Sequence, residues 1–249
     1  MHPKALREKI KNKRVVLICP SQAACKKHRG KEIEEFDTIV RMGNGYKVKG
    51  LETSVGKRTD ILFHSLRPKV KWQGIEAIDL KTLQERKLRF IMYFNGGKNR
   101  MRHKRMRKAL RKHKIIAVPS KKNLFSVIYQ QAKVKNIKFK KLSIAPLQGI
   151  VAIISILQHK PKELTIIGKD FYESSHQDNY KSKKMKRSAV RAQANRAHNL
   201  RYQKYILVKC IQAFDNISID STTRDSLLRM KNLSTEVAEK ITNITNRNL

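Results

Sequence analysis

The chain has 249 residues, enough for one full hydrophobic core, and 40% of them are hydrophobic while only 6% are aromatic. It carries 57 Lys+Arg against 19 Asp+Glu, a formal net charge of +38, so it draws polyanions: nucleic acid, anionic lipid, acidic polysaccharide or lipopolysaccharide. No apolar run approaches the roughly 20 residues of a membrane span, the basic segment from Met1 to Arg14 lacks the apolar core of a signal peptide, and the odd set Cys19, Cys25 and Cys210 fits reduced thiols in a cytoplasmic setting.

Val15 to Ile18 is a run of branched apolar residues without alternation, which predicts a strand buried on both faces. The turn Pro20-Ser21-Gln22 follows. There Ser21 presents a hydroxyl beside the backbone N–H groups of a strand-to-helix junction, where open α/β sheets bind phosphate. Phe36-Asp37-Thr38-Ile39-Val40-Arg41 leads to Gly43-Asn44-Gly45, and Val55-Gly56-Lys57-Arg58-Thr59-Asp60 precedes a strand from Ile61 to His64. A helix is predicted over Leu80 to Lys87, then a strand over Phe90 to Tyr93 closed by the turn Asn95-Gly96-Gly97. Lys98 to Lys114 holds ten Lys/Arg and no acid. It reads as a helix with a thin stripe of Met101, Met106 and Leu110, its charged face either solvated or turned to anionic headgroups. The strand from Ile115 to Val118 ends at Pro119, and Asn123 caps a helix bearing Leu124, Val127 and Ile128. Pro146 opens the apolar helix from Ile150 to Leu157. Glu163 to Ile167 is a buried strand with Gly168 as its exit. Lys181 to Lys209 again holds ten Lys/Arg and no acid, helical from Ser188 onward. A short helix from about Thr235 to Thr245 closes the chain. Strands alternating with helices predict an α/β fold: one domain over residues 1–249, with a doubly wound, mostly parallel sheet flanked by helices.

Two histidines stand out. His176 lies just beyond Gly168, at the C-terminal end of a predicted strand where α/β active sites gather. His198 opens the run His198-Asn199-Leu200-Arg201-Tyr202-Gln203, and a His near a helix start that faces a cleft can act as a general base. There is no D-x-D, no H-E-x-x-H and no Cys/His cluster, so no metal site is expected.

The order of the first pieces resembles the large sialylmotif of the eukaryotic-type sialyltransferases, glycosyltransferase family 29. That motif is an apolar strand, a small-residue turn, an acid before a Val/Ile pair, an Arg, an Asn and a Val-Gly-x-(Arg/Lys)-Thr run. Asp37, Val40, Arg41, Val55, Gly56, Arg58 and Thr59 take those places. Pro20 stands where the family has a turn Asn, and Gly43 where it has the later Asn, with Asn44 one step on. Pro146-Leu147-Gln148-Gly149 with its apolar helix, followed by Leu164 to Tyr172, resembles the small sialylmotif. Gly149 and Gly168 match it, while Leu147 and Gln148 replace hydroxyl residues. His176 falls where the third motif has its His, and His198 to Gln203 is similar to the last motif, His-x4-Glu. Gln203 can hydrogen-bond there but brings no charge.

The resemblance spans about residues 13–205 and leaves 217–249 as a C-terminal extension. It implies a Rossmann-like, GT-A-variant fold and inverting transfer of sialic acid, or a related 2-keto sugar acid such as Kdo, from its CMP donor to a glycan or lipopolysaccharide-type acceptor. By the same resemblance His198 is the base, and His176 serves the leaving phosphate. Ser21, Gln22, Asn44, Gln148, Gly149, Gly168 and Tyr172 bind the CMP-sugar, and Asp37 and Asp60 belong to the sugar-nucleotide motifs. No cofactor and no metal are implied. Lys181 to Arg187 is either a lid over the donor or a solvated loop. The membrane anchor, stem and linking disulfide of animal members have no counterpart here, which suggests a cytoplasmic enzyme, at most peripheral to an anionic membrane. Two other readings stay open. One is a nucleic-acid-binding α/β protein, motivated by the charge but without a helix-turn-helix, zinc-finger or RNP-like signature. The other is an inactive relative that only binds the donor, motivated by Pro20, Gly43 and Gln203.

Overall fold

The computed structural model describes residues 4–66, 78–93, 100–120, 147–177, 187–245 and 247. Among the described residues seven strands form one sheet, parallel throughout: β1 (Arg14–Ile18), β2 (Thr38–Met42), β3 (Ile61–Phe63), β4 (Phe90–Tyr93), β5 (Ile116–Pro119), β6 (Glu163–Ile167) and β7 (Ile217–Ile219), in the order β5-β4-β3-β2-β1-β6-β7. The fold is therefore the expected Rossmann-like α/β class. The chain steps outward from β1 to β5, then returns to lay β6 and β7 on the other side of β1. The direction of winding reverses between β1 and β6, and ligands of open parallel sheets bind in that crevice, beyond the carboxyl ends of the strands.

Burial on both faces follows from the unbroken apolar runs. Val15 and Leu17 face a core cluster built with α1 (Lys4–Ile10), α6 (Gln148–Leu157) and α8 (Leu200–Ala213), whereas Val16 and Ile18 face the cluster under α2 (Gly30–Glu34) and α3 (Glu52–Val55). Farther along that second face, Leu62 and Ile91 pack with Leu83 of α4 (Leu80–Glu85) and Leu110 of α5 (Arg100–Lys112). Each such side chain contributes about 1.5–3 kcal/mol on leaving water. In α6 every residue from Gly149 to Leu157 is buried, as suits a helix that is apolar on all sides.

The segment read as a C-terminal extension belongs to the sheet. Ile217–Ile219 pairs with β6, and α9 (Ser221–Leu228) and α10 (Thr235–Asn243) pack their Leu227, Val237 and Ile241 into the larger core. The turn Asn95-Gly96-Gly97, the helix expected after Asn123, Pro146 and the run from Lys181 to Lys186 lie outside the described residues. Among the described residues, no helix is long and apolar enough to cross a membrane.

The large-motif residues hold the scaffold. Arg41 is fully buried. Its guanidinium donates to the carbonyls of Val55 at 2.6 Å, Gly56 at 2.9 Å and Arg58 at 3.0 Å, and to the Thr59 hydroxyl at 3.1 Å. Burial pushes its pKa down to about 10. Gly56 adopts φ 69°, and a Cβ there would meet Glu34 Oε1 at 2.5 Å, so only glycine fits. Asp37 accepts from the Arg14 N–H at 2.8 Å and Asp60 from the Ile39 N–H at 2.8 Å. Both aspartates sit just before strands β2 and β3, at the edge of the sheet opposite the crevice, so they tie strand starts together and do not face the expected donor site.

Candidate active site

The crevice is built where β1 and β6 end. Gly168 leaves β6 with φ +71°, and a Cβ on it would lie 2.6 Å from Ala24 Cβ and 2.7 Å from Ser21 Oγ. The left-handed turn and the close approach of the β1 turn both require glycine. Ser21 is buried and caps the short 3-10 helix Gln22–Lys26, its hydroxyl accepting from the Ala24 N–H at 3.2 Å. The β1 turn then runs antiparallel to a segment far along the chain. The Gln22 N–H donates to the Ser175 carbonyl at 2.7 Å, the Gln177 N–H donates to the Pro20 carbonyl at 3.1 Å, and Ser21 pairs with His176 between them. The Tyr172 and His176 rings lie 5.6 Å apart. Ser21, Gln22, Gly168, Tyr172 and His176 thus share one place in the fold.

The loop from Lys169 to Ser175 is strained and tightly determined. Phe171 and Tyr172 adopt φ 51° and 66°, positions that L side chains disfavour. Asp170 holds them there, accepting from the Tyr172 N–H at 3.1 Å, from the Ser174 N–H at 2.8 Å and from the Ser174 hydroxyl. Phe171 is buried, with the Lys169 and Lys204 ammonium groups 4.1 and 5.6 Å from its ring centroid. Glu173 anchors the loop to the helices behind it. It accepts from Lys204 at 2.7 Å, from the Ser226 hydroxyl at 3.0 Å and from Arg229. Burial acts to raise its carboxyl pKa, but these bonds win and hold it below the usual range. Burial raises the Asp170 carboxyl, raises the Tyr172 phenol to about 12 and lowers the Lys169 ammonium. Tyr172 therefore keeps its proton at neutral pH and can donate it in a hydrogen bond.

Gln148 and Gly149 open α6, beside the same loop. Leu147 caps this helix without a side-chain bond, so the first-turn N–H groups point out of it. A Cβ on Gly149 would meet Lys169 Cε at 2.9 Å. The glycine makes room for the stem of a lysine.

His198 is the last residue of α7 (Arg187–His198), so it stands at a helix end and not a helix start, and Asn199 caps α8 with its side chain on the Tyr202 N–H at 3.1 Å. Gln203 is fully buried and bridges. Its Nε2 donates to the His198 backbone carbonyl at 2.8 Å, and its Oε1 accepts from the Leu147 N–H at 3.0 Å. It fixes where His198 sits relative to α6 through the main chain. Asn44 is fully buried at the end of β2, one residue after Gly43, which takes the left-handed φ of 53°. The Asn44 carbonyl accepts from the Lys47 N–H at 3.0 Å, and the Lys47 carbonyl accepts from Gln177 at 3.4 Å, which joins Asn44 to the His176 segment. Sequence reasoning missed Lys169, Asp170, Glu173 and Lys204. The Asp170-to-Ser174 spacing, typical of a side chain that bonds its own backbone turn, was a usable signal for one of them.

Among the described residues, no group of His, Cys, Asp or Glu could hold a metal ion. A groove of about 590 Å³ opens beside Asn199, with Tyr202, Tyr205, Lys209, Lys231 and Leu233 in its walls. The Tyr202 and Tyr205 rings stack at 6.1 Å.

No protein-family model and no curated protein matches the sequence. Solved structures do. The sialyltransferase Cst-II of Campylobacter jejuni, in complex with a trisaccharide acceptor and CMP, superposes with a TM-score of 0.52 at 16% identity, over 90% of this chain and 87% of that one. The monofunctional α-2,3-sialyltransferase Cst-I from Campylobacter jejuni gives 0.51 at 14% identity, over 92% of this chain and 82% of the other. A mammalian sialyltransferase in complex with Gal-β-1-3GalNAc-ortho-nitrophenol gives 0.51 at 13%, over 86% and 71%. The chain has the sialyltransferase fold over nearly its whole length.

Proposed function

We propose that this protein is an inverting glycosyltransferase that moves sialic acid, or a related 2-keto sugar acid such as Kdo, from its CMP donor to a glycan hydroxyl. The observation that carries the reading is the antiparallel pairing of Ser21 with His176. It joins the large-motif turn to the third-motif histidine at the crevice of a sialyltransferase fold.

In this reading the donor phosphate lies at the first turn of α6, where the N–H groups of Gln148 and Gly149 and the helix dipole favour an anion. Tyr172, which keeps its proton, donates to the phosphate, and His176 faces it from the neighbouring segment. His198 takes the proton from the acceptor hydroxyl as the new bond to the anomeric carbon forms. The bond to the phosphate oxygen breaks, CMP leaves and the configuration inverts. The carboxyl end of α7 replaces the absent Glu, since a cation near a helix C-terminus gains about 0.3–1 kcal/mol. The groove beside Asn199 suits an acceptor: the stacked Tyr202 and Tyr205 offer a flat apolar surface for a sugar ring, and Lys209 and Lys231 suit an anionic one such as a lipopolysaccharide-type glycan.

The test begins with ligand-induced stabilisation. CMP is expected to raise the melting temperature more than UMP or GMP, by the equivalent of about 2.7 kcal/mol at 100 times its Kd. Transfer from CMP-sialic acid or CMP-Kdo should follow and persist in EDTA. Equal shifts with all three nucleotides, or none, would overturn the donor assignment. CMP binding without transfer from any CMP-sugar would make the protein a binding relative only.

A further inference from the structure

Among the described residues, Lys169 is a buried cation at the crevice to which the reaction above gives no task. It follows Gly168 at the end of β6 and is only 7% exposed. Its stem lies along the first turn of α6. Cδ and Cε sit 3.1 and 2.9 Å from where a Cβ on Gly149 would be, and Nζ sits 3.4 Å from the same point. The ammonium rests 4.1 Å from the centroid of the buried Phe171 ring. Among the described residues it has no carboxylate within ion-pairing distance and no hydrogen-bond acceptor. Asp170, next in the chain, already accepts from the N–H groups of Tyr172 and Ser174 and from the Ser174 hydroxyl.

Burying a lysine charge is unfavourable unless something compensates it, and an aromatic face alone offsets only part of that penalty. A leucine or methionine would fill this notch with no such penalty. The cation is aimed instead at the first turn of α6, where Leu147 offers no side chain to the N–H groups of that turn, and two independent features therefore attract negative charge to one point. At low local dielectric a fixed cation there acts far more strongly than the solvated lysines that cover the surface.

We infer that Lys169 is the fixed cation of an anion site at the first turn of α6, where it holds the phosphate of the bound nucleotide. The inference rests on the CMP-donor reading for the identity of the phosphate. As the anomeric carbon–oxygen bond breaks, charge gathers on that phosphate, and Lys169 stabilises it without moving.

The experiment compares the full-length protein with Lys169→Met and with Lys108→Met, which removes an exposed charge on α5. CMP, cytidine and free sialic acid are titrated calorimetrically at fixed ionic strength. The wild-type protein and Lys108→Met are expected to bind CMP at least tenfold more tightly than cytidine. Lys169→Met should lose that ratio while its cytidine and sialic acid affinities stay unchanged. Equal weakening of CMP and cytidine in Lys169→Met would mean a merely structural lysine and overturn the inference. Loss confined to sialic acid would move the cation to the sugar carboxylate and overturn it as well. If no protein binds CMP or cytidine, the donor reading fails, and inorganic phosphate decides the anion site by itself. A thermal shift with phosphate at constant ionic strength that Lys169→Met loses and Lys108→Met keeps supports the site. The same shift in all three proteins overturns it.

Discussion

Gln203 meets His198 at its backbone carbonyl and not at its imidazole. If His198 is the base, His198→Ala removes a group that acts only in the chemical step. Turnover should then fall by about 10²–10⁴-fold while the Kd for CMP stays within error. A variant that keeps more than a tenth of wild-type turnover would move the base elsewhere, with His176 the next candidate. Gln203→Glu gives a second outcome, and here structure and family resemblance part. The resemblance treats Gln203 as a weakened Glu whose reversal should strengthen the base. The structure shows an amide that donates to the His198 carbonyl and accepts from the Leu147 N–H. A carboxylate can accept but not donate, so Gln203→Glu would set two acceptors against each other in a fully buried place. The expected result is lower stability, by about 1–3 kcal/mol in denaturant unfolding, with no gain in turnover. An improved rate would mean that the side chain of residue 203 reaches the imidazole after all.

At the scale of elements, the residues that carried the resemblance prove to be mostly structural. Arg41 joins β2 to the Val55–Thr59 segment through four acceptors, so the motif is a clamp that sets the pitch of β2, β3 and α3. Lys has one ammonium on a single stem and cannot reproduce this fork. Arg41→Lys should lower stability by on the order of 3 kcal/mol, with an unchanged denaturant m-value. A loss under about 1 kcal/mol would show that the clamp is dispensable. The strands were legible because runs such as Val15 to Ile18 and Leu164 to Ile167 have no solvent face, and α6 because it has no polar side. β7 was not: Ser218 interrupts Ile217-Ser218-Ile219, whereas the equally short β3 is the unbroken apolar run Ile61-Leu62-Phe63. The turn of Ser21, the exit at Gly168 and the helix start at Gly149 could be located from turn chemistry. What each glycine accommodates could not, because Gly149 makes way for Lys169, which is adjacent in space and distant in the chain. Lys169 itself was invisible: a lysine after a strand is ordinarily solvated, and only the packing of Phe171 and α6 around it makes it a buried cation.

For the whole molecule, the dominant quantity is the net charge of +38. Charge of this size acts at a distance: it raises encounter rates with anions and does so less as salt rises, because the Debye length shrinks from roughly 10 Å at 0.1 M to 3 Å at 1 M. A glycan acceptor that is itself anionic should therefore be captured faster than a neutral one of the same length, through the basic rim of the Tyr205 groove. The donor is anionic too, so the effect on the acceptor is isolated only when the CMP-sugar is saturating. Under that condition kcat/KM for an anionic acceptor is expected to fall by about tenfold or more between 0.05 and 0.5 M salt. For a neutral acceptor it should change far less, and kcat should hold for both if the chemical step lies among the buried residues at the ends of β1 and β6, where salt screens weakly. Parallel salt curves for the two acceptors would show that the charge serves something other than acceptor capture, and RNA or an anionic membrane would then be the polyanion to test against this surface.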